Sequence, residues 1–239
     1  MSRQTFENYG TYAEHDVSFT RLAGRYSIQT EGECKIIGDV ASKLDLNPSD
    51  SLLEIGCGPG NLLIPLSFLT AKATGVDHPK VIKRFRKRFQ DENLQLLAGN
   101  FLDMEFSTRF TKILIYSMIQ LLSNEAEVRT CLSKALGLLE PGGLLLVGDL
   151  PNEDKKNRFL ASRTGQKFLR DWNKKNTENG MSVAYGKLDK YTVNFTDRLI
   201  LDLMVELRGS GCETYLLSQP PNLPFGRTRE DLLVRKLEV

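Results

Sequence analysis

Cysteine is sparse and scattered. The 239 residues hold four, Cys34, Cys57, Cys131 and Cys212, and no two form a C-x-x-C pair. That spacing excludes a disulfide framework and a zinc ribbon, and it points to a reducing cytoplasm. No apolar run approaches the length needed to cross a bilayer. The stretch from Met1 to Thr11 is polar and has no apolar signal core, so no leader is expected. A net charge of +2 excludes a generally basic nucleic-acid binder, though not a local patch. Internal repeats and low-complexity tails are missing too. An ordinary hydrophobic fraction of 41% remains, with length for one α/β domain carrying an insertion, or for two small domains.

One stretch organises the rest: Leu52-Leu53-Glu54-Ile55-Gly56-Cys57-Gly58-Pro59-Gly60-Asn61. An apolar run breaks into glycines, and a second apolar run, Leu62 to Leu66, follows at once. The pattern predicts a buried strand, a tight turn and the start of a helix. Such a turn lets a ligand press against bare backbone, beside the unpaired N–H groups of a helix start. The dinucleotide fingerprint G-x-G-x-x-G is not met, because Asn61 stands at its third glycine.

Later landmarks come in a fixed order. Lys72-Ala73-Thr74-Gly75-Val76-Asp77 predicts a second strand ending in an acid, whose carboxylate can accept from both hydroxyls of a ribose. Dinucleotide sites share that acid, and a helix N-cap explains it as well. Leu94 to Ala98 predicts a third strand running into a turn at Gly99-Asn100-Phe101, with Asp103 as a turn residue. Ile113 to Ile115 reads as a strand covered on both faces, and the segment from Tyr116 to Gln120 lies at its carboxyl end. A helix then stops at Glu140-Pro141-Gly142-Gly143 and turns into a fifth strand ending near Asp149.

The set resembles the class I S-adenosylmethionine (SAM)-dependent methyltransferases of the small-molecule type, whose acid-x-G-x-G-x-G turn cradles the methionine part of SAM. The resemblance covers residues 50–150 by motif and 196–239 by architecture. It implies SAM as cofactor, held by Glu54, Gly56, Cys57, Gly58, Gly60, Asp77, His78, Asn100, Phe101 and Ser117. Asn100 replaces the usual Asp, and its amide oxygen can accept the same adenine hydrogen bond. The loop after the fourth strand has neither the Asn/Asp-Pro-Pro-Tyr/Phe of amino-group methylation on adenine or glutamine nor the Pro-Cys of cytosine C5 enzymes.

The implied fold is α/β: a doubly wound, mostly parallel seven-stranded sheet with a C-terminal antiparallel hairpin. Four parts are expected. Residues 1–50 form a helical cap, with a helix at 30–44, and residues 51–150 the SAM-binding core. Residues 151–195 form a substrate-covering insertion, helical from Lys155 to Lys175. Residues 196–239 supply a helix at 197–208 and two strands, Glu213 to Ser218 and Asp231 to Lys236. The basic helix of residues 81–91 reads as a solvated face behind an apolar stripe of Ile82, Phe85 and Phe89.

The expected reaction is methyl transfer to an oxygen or nitrogen of a small molecule, such as a sugar or nucleotide-sugar, and the cations of the insertion suit an anionic acceptor. Positioning and water exclusion can carry such a transfer, so no triad is required. If a base is used, His15 and Asp149 are the candidates, although His15 also reads as exposed or structurally bonded. Tyr12, Gln120 and Tyr185 are candidate substrate contacts, and the two tyrosines are secondary base candidates. Arg25 and Tyr26 read as surface residues, with the SAM carboxylate as the other assignment. No metal site is expected. The competing readings are an RNA or protein methyltransferase, an NAD-dependent oxidoreductase and a SAM-binding protein without turnover.

Overall fold

The computed structural model describes residues 3–15, 18–26, 29–178 and 191–238, and the side chains of 6–15, 18–26, 29–174 and 191–238. Seven strands make one sheet in the order β3-β2-β1-β4-β5-β7-β6. They are β1 (Ser51–Ile55), β2 (Lys72–Asp77), β3 (Leu94–Ala98), β4 (Phe110–Tyr116), β5 (Leu139–Pro151), β6 (Cys212–Ser218) and β7 (Arg229–Lys236). The first five pair in parallel, and β7 enters antiparallel between β5 and β6. The expected fold class is therefore observed.

Helices cover both faces. The cap holds α1 (Arg3–Tyr12), α2 (Phe19–Leu22) and α3 (Thr30–Lys43). The core holds α4 (Leu63–Ser67), α5 (Pro79–Arg88) and α6 (Glu125–Leu138). After β5 come α7 (Glu153–Ala161), α8 (Arg163–Glu178) and α9 (Asp197–Gly209). One core layer sets Ile113, Ile115, Leu145 and Val147 against Val128, Leu132, Ile200 and Leu203. The other sets Leu52, Leu114 and Leu146 against Ile36, Val40, Leu63 and Phe85. Alternate residues of β4 and β5 thus face opposite layers, which is why these strands read as unbroken apolar runs.

Two details depart from the sequence reading. Pro141-Gly142-Gly143 lies within β5, not before it. The pairing jumps from Phe110↔Leu139 to Lys112↔Leu144, so these residues bulge out of the ladder. The helix expected from Lys155 to Lys175 is two helices. Ser162 ends α7, and its hydroxyl oxygen accepts from the Gly165 N–H, starting α8.

A buried ion pair ties cap to sheet. Lys43 at the end of α3 reaches Asp231 of β7 at 2.6 Å and Asp39 at 2.6 Å, and Asp231 is fully buried. The other Asp231 oxygen accepts from the Asp149 N–H and from Gln219.

Candidate active site

The carboxyl edge of the sheet opens into a cavity of about 430 Å³. It is lined by β1, β2, β4 and β5, by the cap and by the start of β7. The glycine turn is pinned to β2: the Gly56 and Cys57 N–H groups donate to the Val76 carbonyl, and the Gly58 N–H donates to Asp77 Oδ2 at 2.7 Å. Asp77 Oδ1 accepts from the His78 N–H at 2.6 Å. Burial lifts the Asp77 carboxyl to about 6 against those two hydrogen bonds. Each oxygen keeps a lone pair that a ribose hydroxyl could use.

Glu54 lines the same cavity and is buried, and its Oε2 has no partner among the described residues. Burial, then the nearby Asp77, push its carboxyl well above the usual range. Gly58 is left-handed, and a Cβ there would meet only the Tyr9 hydroxyl, at 3.7 Å. The turn therefore presents backbone to the cavity beside an unsatisfied acid. These features fit SAM: close backbone approach for the methionine part, Glu54 for its ammonium, and Asp77 for its ribose. Phe101 and Asn100 line the wall, with the Asn100 side chain capping the 3₁₀ turn Phe101–Asp103. Asn100 Oδ1 already accepts from the Leu102 N–H at 3.3 Å, so it has one lone pair left for an adenine amino group.

Across the sheet, three strand spacings or about 14 Å from Asp77, lies a second polar cluster. Ser117 and Asp149, at the ends of adjacent strands, are both left-handed, with φ of 56° and 59°. Non-glycine residues rarely hold that conformation, and it concentrates at functional sites. Arg25 donates through Nη2 to Ser117 Oγ at 2.6 Å and to Asp149 Oδ2 at 3.1 Å, and Ser117 Oγ also bonds Asp149 Oδ2. Arg229 Nε lies 3.8 Å from Asp149 Oδ1, and its Nη2 donates to the Tyr191 hydroxyl at 2.5 Å. Burial pulls the Arg229 guanidinium down, but Asp149 and Tyr191 outweigh it and the net shift is upward.

The comparisons with known proteins agree with this geometry. Residues 52–143 match the family model described as a methyltransferase domain. The chain thus carries a stretch similar to methyltransferase domains. Its sheet and cap also resemble the N-methyltransferase NodS from Bradyrhizobium japonicum solved with S-adenosylhomocysteine (SAH), at a TM-score of 0.60 and 18% identity over 98% of this chain and 99% of that one. Among curated relatives, a ubiquinone biosynthesis O-methyltransferase of Rhodopseudomonas palustris is 26% identical, over 72% of this chain and 66% of its own length. The probable cobalt-precorrin-6B C(15)-methyltransferase (decarboxylating) of Methanococcus maripaludis is 30% identical, over 42% of this chain and 55% of its own length. The chain thus spans between about half and two thirds of these relatives.

Of the residues expected at the site, Glu54, Gly56, Cys57, Gly58, Asp77, Asn100, Phe101 and Ser117 all line the cavity, as do Tyr12, Gln120 and Asp149. Three assignments are corrected. His15 is exposed beyond the end of α1 and outside the cavity wall, where its carbonyl accepts from Arg84, so it is withdrawn as a base. His78 is buried away from the wall as the N-cap of α5. Its Nδ1 accepts from the Lys80 N–H and its ring meets Phe6 at 4.5 Å. Gly60 also misses the wall, and a Cβ there would sit 2.4 Å from the Phe85 ring, so this glycine serves packing of α5. Tyr185 lies outside the described residues.

Arg25 was expected at the surface, and it is buried in the wall because Asp149 and Ser117 receive it. Tyr26 is half-buried in the wall against Trp172. Two wall residues carried no local signal. Tyr9 of α1 donates to the Leu22 carbonyl at 2.8 Å. Arg229 could have been found through topology alone. An antiparallel last strand beside β5 must begin where β5 ends, and Arg229 does pair with Pro151.

Proposed function

We propose that this chain transfers the methyl group of SAM to an oxygen or nitrogen atom of a small molecule, with sugars and nucleotide-sugars the first acceptors to screen. The observation that carries the reading is the glycine turn held by Asp77, with the orphaned Glu54 oxygen on the same wall. SAM, when bound, supplies an activated sulfonium methyl group. The chain's own task is then to hold and to enclose. Gly56 to Gly58 would take the methionine part against backbone, Asp77 the ribose, and Asn100 with the Phe101 N–H the adenine. Arg25 would meet the methionine carboxylate.

The cap residues Tyr9 and Tyr12 line the cavity beside the glycine turn, where they would exclude water from bound SAM. Tyr191, from the 151–195 insertion, closes the other side, and Trp172 of α8 meets Tyr26 edge-on at 5.7 Å. This enclosure favours a small acceptor over a nucleic acid. Asp149 has one oxygen committed to Arg25 and Ser117, so it acts better as a positioner of the acceptor side than as a free base. Acceleration by orientation, of order 7–11 kcal/mol in favourable cases, needs no base. Gln120 lines the same wall, its buried Oε1 has no partner among the described residues, and it could receive a hydroxyl or amine of the acceptor.

Calorimetric titration with SAM, SAH and NADH on one preparation tests the reading. Micromolar binding of SAM or SAH with none of NADH is the expected result. NADH binding without SAM or SAH would return the oxidoreductase reading.

A further inference from the structure

Among the described residues three cationic side chains line the cavity, Arg21, Arg25 and Arg229, and the last two are buried. Burying a guanidinium is costly unless its donors are met. Both fall short of that: Arg25 Nε has no partner among the described residues, and Arg229 is met less well still. Its Nη2 is met by Tyr191, its Nε has only Asp149 at 3.8 Å, and its Nη1 has no partner among the described residues. The other oxygen of Asp149 is shared by Arg25 and Ser117. Two guanidiniums thus divide one carboxylate.

Among the described residues no acid other than Asp149 pairs with Arg229. Asp231 shares Lys43 with Asp39, Glu230 is held by Lys155 at 3.5 Å and by Asn152, and Glu33 is held by Asn61. Glu54 and Asp77 belong to β1 and β2, at least three strands from β7 in the sheet order. The unmet donor of Arg229 therefore lies on the side of the cavity away from Asp77. The ring of Phe225 lies 5.1 Å from the Arg229 guanidinium and 5.4 Å from that of Arg25, which fixes both planes without using their N–H donors.

We propose that Arg229 is the anion subsite of the acceptor, and that the acceptor carries a carboxylate or a phosphate. This inference rests on the methyltransferase reading, which gives Arg25 to the cofactor carboxylate and leaves Arg229, two strands beyond β4, for the second ligand. The Nη1 edge donates to the oxyanion. Tyr191 and Phe225 hold the guanidinium in place, and Gln120 lies on the same wall for the acceptor's neutral polar groups.

Calorimetry with inorganic phosphate and with benzoate, each run with and without saturating SAH, tests this. The expected result is binding of at least one anion to the SAH complex, weakened tenfold or more in Arg229→Gln, with SAH affinity changed less than twofold. Phosphate without benzoate would assign the subsite to phosphates, and the reverse to carboxylates. Because Arg229→Gln could fail to fold, the wild-type SAH complex is also titrated with benzamide and methyl phosphonate diester, which match the anions in shape without their charge. Neutral probes binding as well as the anions would overturn the proposal. So would SAH binding with neither anion, or a loss of SAH affinity in Arg229→Gln, which would give Arg229 to the cofactor. Anion binding through Arg229 without any SAH binding would overturn the methyltransferase reading while the subsite stands.

Discussion

Asp77 shows how a single carboxylate can organise a turn and still keep a lone pair on each oxygen for a ligand. Asp77→Ala should weaken SAH binding by about 1.5–3 kcal/mol, the range for hydrogen bonds to a charged group. Calorimetry on the folded variant checks it. The carboxyl also predicts a pH dependence. Its folded value of about 6 lies above the ordinary 3.8. Its contribution to the stability of the cofactor-free protein is therefore full below the ordinary value and is lost as pH rises through about 6. Ribose hydroxyls donate best to the ionised form, so SAH affinity should fall as pH drops through that same region. In Asp77→Asn this inflection should vanish from a series of titrations between pH 5 and 8. Residues close in sequence to the turn were legible because motif and geometry share one short segment. Gly60 was misread because a left-handed glycine looks the same in sequence whether a ligand or Phe85 lies against it. Gly60→Ala should therefore cost about 1–3 kcal/mol of stability, seen as an earlier denaturation midpoint.

At the scale of elements, α1 is the cover of the cofactor side. It rests on α5 at a point where Gly10 meets the ring of His78, and a Cβ on Gly10 would sit 2.1 Å from that ring. Gly10→Leu should lift α1 and lower SAH affinity while the unfolding midpoint of the sheet core stays in place. Calorimetry paired with hydrogen exchange separates the two effects. The sequence placed α3, β2 and α9 within a residue or two, because apolar period and flanking caps agree there. It ran α7 and α8 together, because the apolar anchors continue in register across Ser162. Only the Ser162–Gly165 cap, with no room for a side chain at Gly165, marks the break.

For the whole molecule, the strand order was implied by four landmarks and a final hairpin, and it is the strand order that assembles the proposed acceptor side. Ser117, Asp149 and Arg229 lie far apart in sequence, and only the insertion of β7 beside β5 brings the third to the other two. No local pattern encodes such a meeting, which is why the cofactor half could be read from sequence and the acceptor half could not. The same insertion buries one end of an ion pair, Asp231, in the sheet. Lys43→Met would leave Asp231 buried without its cation, and should cost about 3–5 kcal/mol in chemical denaturation. Ser117 and Asp149 carry a different lesson. Their left-handed backbones are places where glycine would relax the chain. Selection for heat resistance alone would accept glycine at both, and would erase the hydroxyl and carboxylate around which Arg25 and Arg229 gather. An engineer seeking a hardier variant should hold these two positions fixed and look for stability in the helices instead.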